Sequence, residues 1–318
     1  MGVQNSKNCS KTFGNTGSGD CWNDIGIPRG IIFVPINKEY TSVSIAAFKA
    51  ALEADLLADN ASLRAYPIQN IVVTTDNTAE PTVTTFTGDG SIAIGFEPNQ
   101  DMTFQWTQGG FCLLHALRKS KGQNRAFMVI DSNGQLIATQ GSTADTVKGI
   151  VGYNYTNPAK WAVGTDNPIT IYNTRLSFRP EQVNESIAIL GFKDDGGLAY
   201  LTALSGLQDV VLTQAAARAA GVFNVKAKTD CGSVDLYDVY PTELAVVGAW
   251  KVVNKTTGNV VTITAVAANV NTHGWTITVD TVDPDYTATA GGLLVSFSGP
   301  TELDALNVTG YESNQLAQ

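Results

Sequence analysis

Thr82-Val83-Thr84-Thr85-Phe86-Thr87, the turn Gly88-Asp89-Gly90, and Ser91-Ile92-Ala93-Ile94-Gly95-Phe96-Glu97 open the stretch Pro81–Gln140, on which the reading of the chain turns. Apolar residues stand at every second place, and the alternation resumes in Met102-Thr103-Phe104-Gln105-Trp106 after the turn Pro98-Asn99-Gln100. A period of two places one set of side chains on each face of a sheet, so these segments are half-buried antiparallel strands. Their Thr, Gln and Glu residues are left for water or a partner. After Gly109-Gly110 the period changes: Phe111, Leu113, Leu114 and Leu117 make a short helical face that ends at Lys119-Ser120-Lys121-Gly122. Ala126-Phe127-Met128-Val129-Ile130 is apolar throughout, as in a strand covered on both sides. Asp131-Ser132-Asn133-Gly134 then turns the chain back into Gln135–Thr139.

Upstream, residues 1–24 are rich in Gly, Asn, Ser and Thr and read as a flexible arm. Trp22 stands alone in it, either as an anchor for a neighbour's pocket or as a cover over its own core. Ile31–Pro35 is a short buried strand. Thr41 or Ser42 caps a helix reaching Asp59, with Ile45, Phe48, Leu52 and Leu56 on one stripe. Ile68–Thr75 is a further strand.

Downstream, Ala144–Thr165 reads as an irregular segment carrying Tyr153, Tyr155, Pro158 and Trp161. Such rings either contact a partner, giving large area at small entropic cost, or fold back over the sheet. Ile169–Phe178 and Ser186–Phe192 close a first β-rich domain, residues 25–192. Residues 193–221 read as a linker, Lys193–Gly197, and a short capped helix, Thr213–Gly221. Residues 222–318 carry short strands at Val222–Lys228, Leu236–Tyr240, Ala245–Val253, Val260–Ala267, Trp275–Asp280 and Leu293–Phe297. That spacing predicts an immunoglobulin-like β-sandwich with Trp250 and Trp275 in its core. The fold class is mainly β: a sandwich or barrel-like domain with one or two packed helices, then the smaller sandwich.

The chain has 318 residues, and 20 Lys and Arg stand against 29 Asp and Glu, a formal charge of −9. Phosphate backbones and anionic membranes are bound through clustered cations, so nucleic-acid binding and membrane attachment are not expected. Cys9, Cys21, Cys112 and Cys231 form no CxxC pair, and whether Cys9 and Cys21 bridge stays open. His115 and His273 have no adjoining acid–base constellation, and GxSxG, HExxH and Walker-type signatures are missing. Asp280, Asp283 and Asp285 are the best metal candidate, but without the spaced oxygens of a calcium loop they read as a solvated turn. No catalytic, cofactor-binding or metal residue is assigned, and a non-enzymatic structural subunit is expected.

A polar arm, a strand and helix, long alternating strands (Thr82–Trp106), Gly109-Gly110 leading into the helix Phe111–Lys119, a buried strand and hairpin, paired late strands and a C-terminal sandwich follow in that order. This order resembles the major tail tube proteins of long-tailed bacteriophages. The resemblance implies a virion protein made in the host cytoplasm, whose partners are itself and other virion proteins. About six subunits would close a ring lining a channel. Rings would stack, DNA would pass without specific binding, and the C-terminal domain would decorate the outside. Trp22, Tyr153, Tyr155 and Trp161 are the candidate inter-subunit contacts. A capsid or capsid-decoration protein is an alternative, although the longest helix drawn here, roughly fifteen residues, is short for a shell spine. A carbohydrate-binding adhesin or fibre component is the other.

Overall fold

Every side chain of Ala126–Ile130 is buried, and alternate ones enter two different cores. Ala126, Met128 and Ile130 join Ile32, Val34, Phe48, Leu52 and Leu136. Phe127 and Val129 join Ile31, Phe33, Phe104, Trp106 and Leu176. The expectation of a strand covered on both faces is borne out.

The structure is a computed structural model describing residues 4–5, 25–58, 62–80, 82–85, 92–96, 98–106, 117–118, 121–156, 160–162, 169–179, 182, 186–204, 206–229, 234–298, 303, 305–306, 308–309 and 316–317. Of the expected flexible arm, Gln4 and Asn5 instead form a strand paired with Ile189 and Ala188, while its remainder with Trp22, all four cysteines, His115 and most of the Phe111–Lys119 helix lie outside the described residues. The chain divides into two compact units, one comprising Met1–Leu56 and Ser62–Ser205, the other with its main part from Gly206 onward.

The first unit runs β1 (Gln4–Asn5), β2 (Pro28–Val34), β3 (Glu39–Thr41), α1 (Ile45–Leu56), β4 (Tyr66–Gln69), β5 (Ile71–Asp76), β6 (Thr82–Thr85), β7 (Ile92–Phe96) and β8 (Gln100–Trp106). It continues with β9 (Asn124–Asp131), β10 (Gln135–Gln140), β11 (Thr146–Lys148), β12 (Ile150–Thr156), β13 (Lys160–Ala162), β14 (Ile169–Phe178), β15 (Ile187–Gly191) and α2 (Gly197–Ala203). β6 and β7 form a hairpin of their own. The larger sheet curls back on itself. β2 pairs with β9 and β4, β9 with β12, β12 with β14, β14 with β8, and β8 with β5. β4 and β5 are consecutive, separated by Asn70 at φ 60°. The predicted strand Ile68–Thr75 is thus two strands, bent where Asn tolerates the left-handed conformation. The bend completes a barrel-like layer, and each strand of the circuit sends residues into one interior.

The second core lies outside β2 and β9, where α1 presents Phe48, Leu52 and Leu56. Ser44, rather than Thr41 or Ser42, caps α1: its carbonyl accepts from Phe48 N at 3.1 Å and its Oγ from Ala47 N at 3.2 Å. The expected linker at Lys193–Gly197 is instead a 3-10 turn leading into α2, with Leu201 and Leu204 in this core. At the hairpin after β9, the buried Asp131 carboxylate accepts from Asn133 N (3.0 Å), Gln135 N (2.8 Å) and Gly26 N (2.9 Å). Gly134 has φ 72°, and a Cβ there would lie 2.7 Å from Leu198 N.

Ala144–Thr165 is not the irregular segment its composition implies. β11, β12 and β13 occupy much of it, held by pairing with β3 and β10, with β9 and β14, and with β14. Glu39 on β3 ties down the turn before β11, accepting from Ser142 N (2.8 Å), Ser142 Oγ (2.8 Å) and Thr146 Oγ1 (3.0 Å). These bonds, the Ser142 hydroxyl foremost, hold its carboxyl below the ordinary 4.5. A depressed folded pKa contributes stability that is present above the unfolded value and is lost as pH falls through the folded one. Glu39→Gln is therefore expected to melt below the parent at neutral pH. Thermal scans should show the two converging as pH drops below the carboxylate range.

The second unit runs β16 (Gln208–Ala219), β17 (Val222–Thr229), α3 (Leu236–Val239), β18 (Trp250–Asn254), β19 (Val260–Val261), β20 (Ile263–Asn269), β21 (Gly274–Val279), β22 (Leu293–Phe297), β23 (Val308–Thr309) and β24 (Leu316–Ala317). Sheets ordered β20-β21-β17-β16-β23 and β19-β18-β22-β24 share one core, so this unit is a β-sandwich. Trp250 and Trp275 sit in that core as predicted, ring centroids 5.8 Å apart. The helix expected at Thr213–Gly221 is part of β16: pairing with β17 overrides the helix propensity of its Ala residues, with register shifts at Gln214/Ala216 and Ala216/Ala219. The strand expected at Leu236–Tyr240 is α3, because the Asp235 side chain accepts from Tyr237 N at 3.1 Å and starts a turn.

Candidate interaction face

On β12, β14 and β8 the even-numbered positions Ile150, Tyr172, Leu176, Phe178, Phe104 and Trp106 point into the barrel interior, while β5 sends Ile71 there ahead of a register shift. The odd-numbered ones between them form the opposite face. Tyr153 pairs across with Ser177, and Tyr155 with Arg175. Arg175 stands opposite Thr103, Ser177 opposite Asp101, and Thr103 opposite Thr75. One row of aromatic and polar side chains, Tyr155–Arg175–Thr103–Thr75, therefore crosses four strands, and a second, Tyr153–Ser177–Asp101, crosses three.

Tyr153 and Tyr155, 37% and 41% exposed, lean together with ring centroids 4.7 Å apart and planes tilted 59°. The structure thus brings together two of the four predicted contact residues. Trp161 lies on β13, where its backbone pairs with Thr170. Its side chain, like Trp22, is outside the described residues. Beside the tyrosines the Arg175 guanidinium grips Asp101, with Nε 2.6 Å from Oδ1 and 2.7 Å from Oδ2 and a further contact from Nη2. That hydrogen bonding raises the Arg175 pKa, so the fork stays charged at any ordinary pH.

At one end the face dips into a cleft of about 480 Å3 lined by Asn99, Asn124, Val151, Tyr153, Ser177, Phe178, Arg179 and Gln182. One wall is fixed by the Gln182 amide, which donates to Val151 O at 2.8 Å and accepts from Val151 N at 2.7 Å. The phenol of Tyr153 lies over Gly122, where a Cβ would come within 3.2 Å of it. Sequence reasoning missed Arg175, Asp101 and the cleft, since their residues meet only through pairing of β8, β9, β12 and β14.

In the second unit the carboxylates of Asp280, Asp283 and Asp285 serve their own loops. Asp280 accepts from Val282 N at 3.0 Å. Asp283 accepts from Thr262 N and Asp285 N, both at 2.9 Å, which lowers its pKa. Asp285 accepts from Thr257 Oγ1 (3.0 Å) and Asn259 Nδ2 (3.1 Å). Among the described residues the one three-ligand group of metal-binding type is Asp235, Asp238 and His273, with ligand atoms within 4.8 Å of one another. Each has a protein partner already: Asp235 caps α3 and faces Lys228 at 3.9 Å, and His273 Nε2 lies 2.8 Å from Asp238 Oδ1. Among the described residues no helix is long and apolar enough to cross a membrane. No protein-family model and no curated protein matches the chain.

Proposed function

We propose that the chain is a self-assembling subunit of a bacteriophage tail tube, the first unit forming rings of about six copies and the second an immunoglobulin-like domain outside them. The observation that carries this reading is the state of β5. It is the last strand of the four-stranded face and pairs, among the described residues, only with β8. Its sequence Ile71-Val72-Val73-Thr74-Thr75-Asp76 has neither Pro nor Lys, the usual guards of a free edge. A neighbouring subunit's strand can extend the sheet there, giving main-chain hydrogen bonds for affinity. Repetition around a closed axis makes a ring whose wall is continuous sheet. The barrel core stiffens that wall, and the Tyr153–Tyr155 pair supplies area for contact. The formal charge of −9 suits a channel along which DNA slides without sticking.

Val72 is 56% exposed on this edge. Val72→Lys is expected to change subunit stability by no more than about 0.5 kcal/mol while preventing ring and tube formation. Sedimentation velocity and negative-stain microscopy of parent and variant decide the matter. A parent that stays monomeric over a wide concentration range, without rings or tubes, removes the tube reading. Closed shells would favour a capsid protein.

A further inference from the structure

We propose that the cleft at the end of the first unit's polar face binds an acidic sugar residue. This stands apart from the tube reading, because every residue it needs lies within one copy of the chain. Four polar side chains in the cleft, those of Asn99, Asn124, Ser177 and Arg179, form no hydrogen bond or ion pair with any described residue. Arg175, two residues before Ser177 on the same face of β14, is by contrast consumed by Asp101. The cleft therefore offers one uncommitted cation, two amides and a hydroxyl around the ring of Tyr153.

That set matches a pyranose carrying a carboxylate. The carbon–hydrogen face of the sugar lies on the tyrosine ring. Its hydroxyls meet the amides and Ser177, groups that both donate and accept. The carboxylate meets the guanidinium fork of Arg179. The Gln182-locked wall is fixed before the ligand arrives, so little ordering opposes binding. The volume falls within the roughly 300–1,000 Å3 usual for small-molecule sites. With the cleft open on one side, a single residue of this size is expected to bind with a Kd of about a millimolar.

Saturation-transfer NMR tests this on the full chain carrying Val72→Lys, which keeps Tyr153 clear of any subunit contact, with methyl glucuronide, methyl glucoside and sulfate as probes. Transfer to the glucuronide ring protons is expected, with the glucoside weaker. Arg179→Gln should weaken the glucuronide about tenfold and leave the glucoside unchanged. Tyr153→Ala should abolish transfer to both sugars, whereas Tyr153→Phe, keeping the ring, should retain it. Circular dichroism confirms the fold of each variant. No transfer at high ligand concentration, transfer that survives both Arg179→Gln and Tyr153→Ala, or displacement of glucuronide by an equal concentration of sulfate would each overturn the proposal. The last result would reduce the cleft to a simple anion hole.

Discussion

A chain cut after Phe192 is expected to misfold or to lose most of its stability, whereas one cut after Ser205 keeps the first unit intact. The residues between them look dispensable by composition, but α2 contributes Leu201, 0% exposed, and the residue that ends it is Leu204, 8% exposed. Burying two leucines contributes about 3–6 kcal/mol of transfer energy, set against a typical domain stability of about 5–15 kcal/mol. Further contacts go with them. Tyr200 stacks on Phe192 at 5.6 Å, receives Lys49 Nζ over its ring at 3.9 Å, and donates its hydroxyl to Glu53 at 2.8 Å. Gln69 Nε2 donates to Leu204 O at 2.5 Å. Solubility, melting temperature and hydrogen exchange of the two truncated chains give the comparison. Equal stability of both would show that α2 is an appendage.

Trp250→Ala is expected to cost the second unit about 3–5 kcal/mol. The indole is 3% exposed, with its ring 4.5 Å from Phe297 and 5.8 Å from Trp275. Its Nε1 donates to Leu244 O at 2.7 Å. Alanine leaves a cavity and a buried carbonyl without its donor; phenylalanine keeps much of the volume and loses mainly the hydrogen bond. Trp250→Phe should therefore cost about 1–3 kcal/mol. Denaturant unfolding followed by hydrogen exchange should place the loss in residues 206–318 and leave protection of β9 unchanged. A spread of the effect into β9 would mean that the two units unfold as one.

The two-sided strand Ala126–Ile130, the Asn-Gly hairpin and the paired tryptophans were legible because each follows from a local pattern with one physical reading. Two misreadings share a cause, propensity prevailing where pairing decides, and a third comes from reading glycine and charge as a linker. Ala215, Ala216 and Ala217 favour a helix in isolation, yet β16 is fixed by β17 along most of its length. Gly152, Tyr153 and Asn154 look like loop residues, yet β12 is held on both edges, and Asn154 accepts from Thr174 Oγ1 at 2.7 Å inside the sheet. Lys193-Asp194-Asp195-Gly196-Gly197 has linker composition, but Gly196 and Gly197 adopt positive φ to turn the chain into α2. Tyr153 and Tyr155 could be named as contact candidates from their type alone. Arg179, Asn99 and Asn124 could not, because nothing local announces that strands remote in sequence bring them to one cleft.

The shared strand β9 also sets how this chain can vary. In a saturation substitution scan, β8 and β14 should show a sawtooth, with every second position accepting polar residues. Ala126–Ile130 should show a plateau of intolerance, since each step along it moves from one packed interior to the other. Drift in this segment is then confined to swaps of similar volume. Descendants that diverge freely at the tyrosine-bearing face would still carry five consecutive apolar residues there. That short unbroken run is the part of the chain by which distant kin would be recognised.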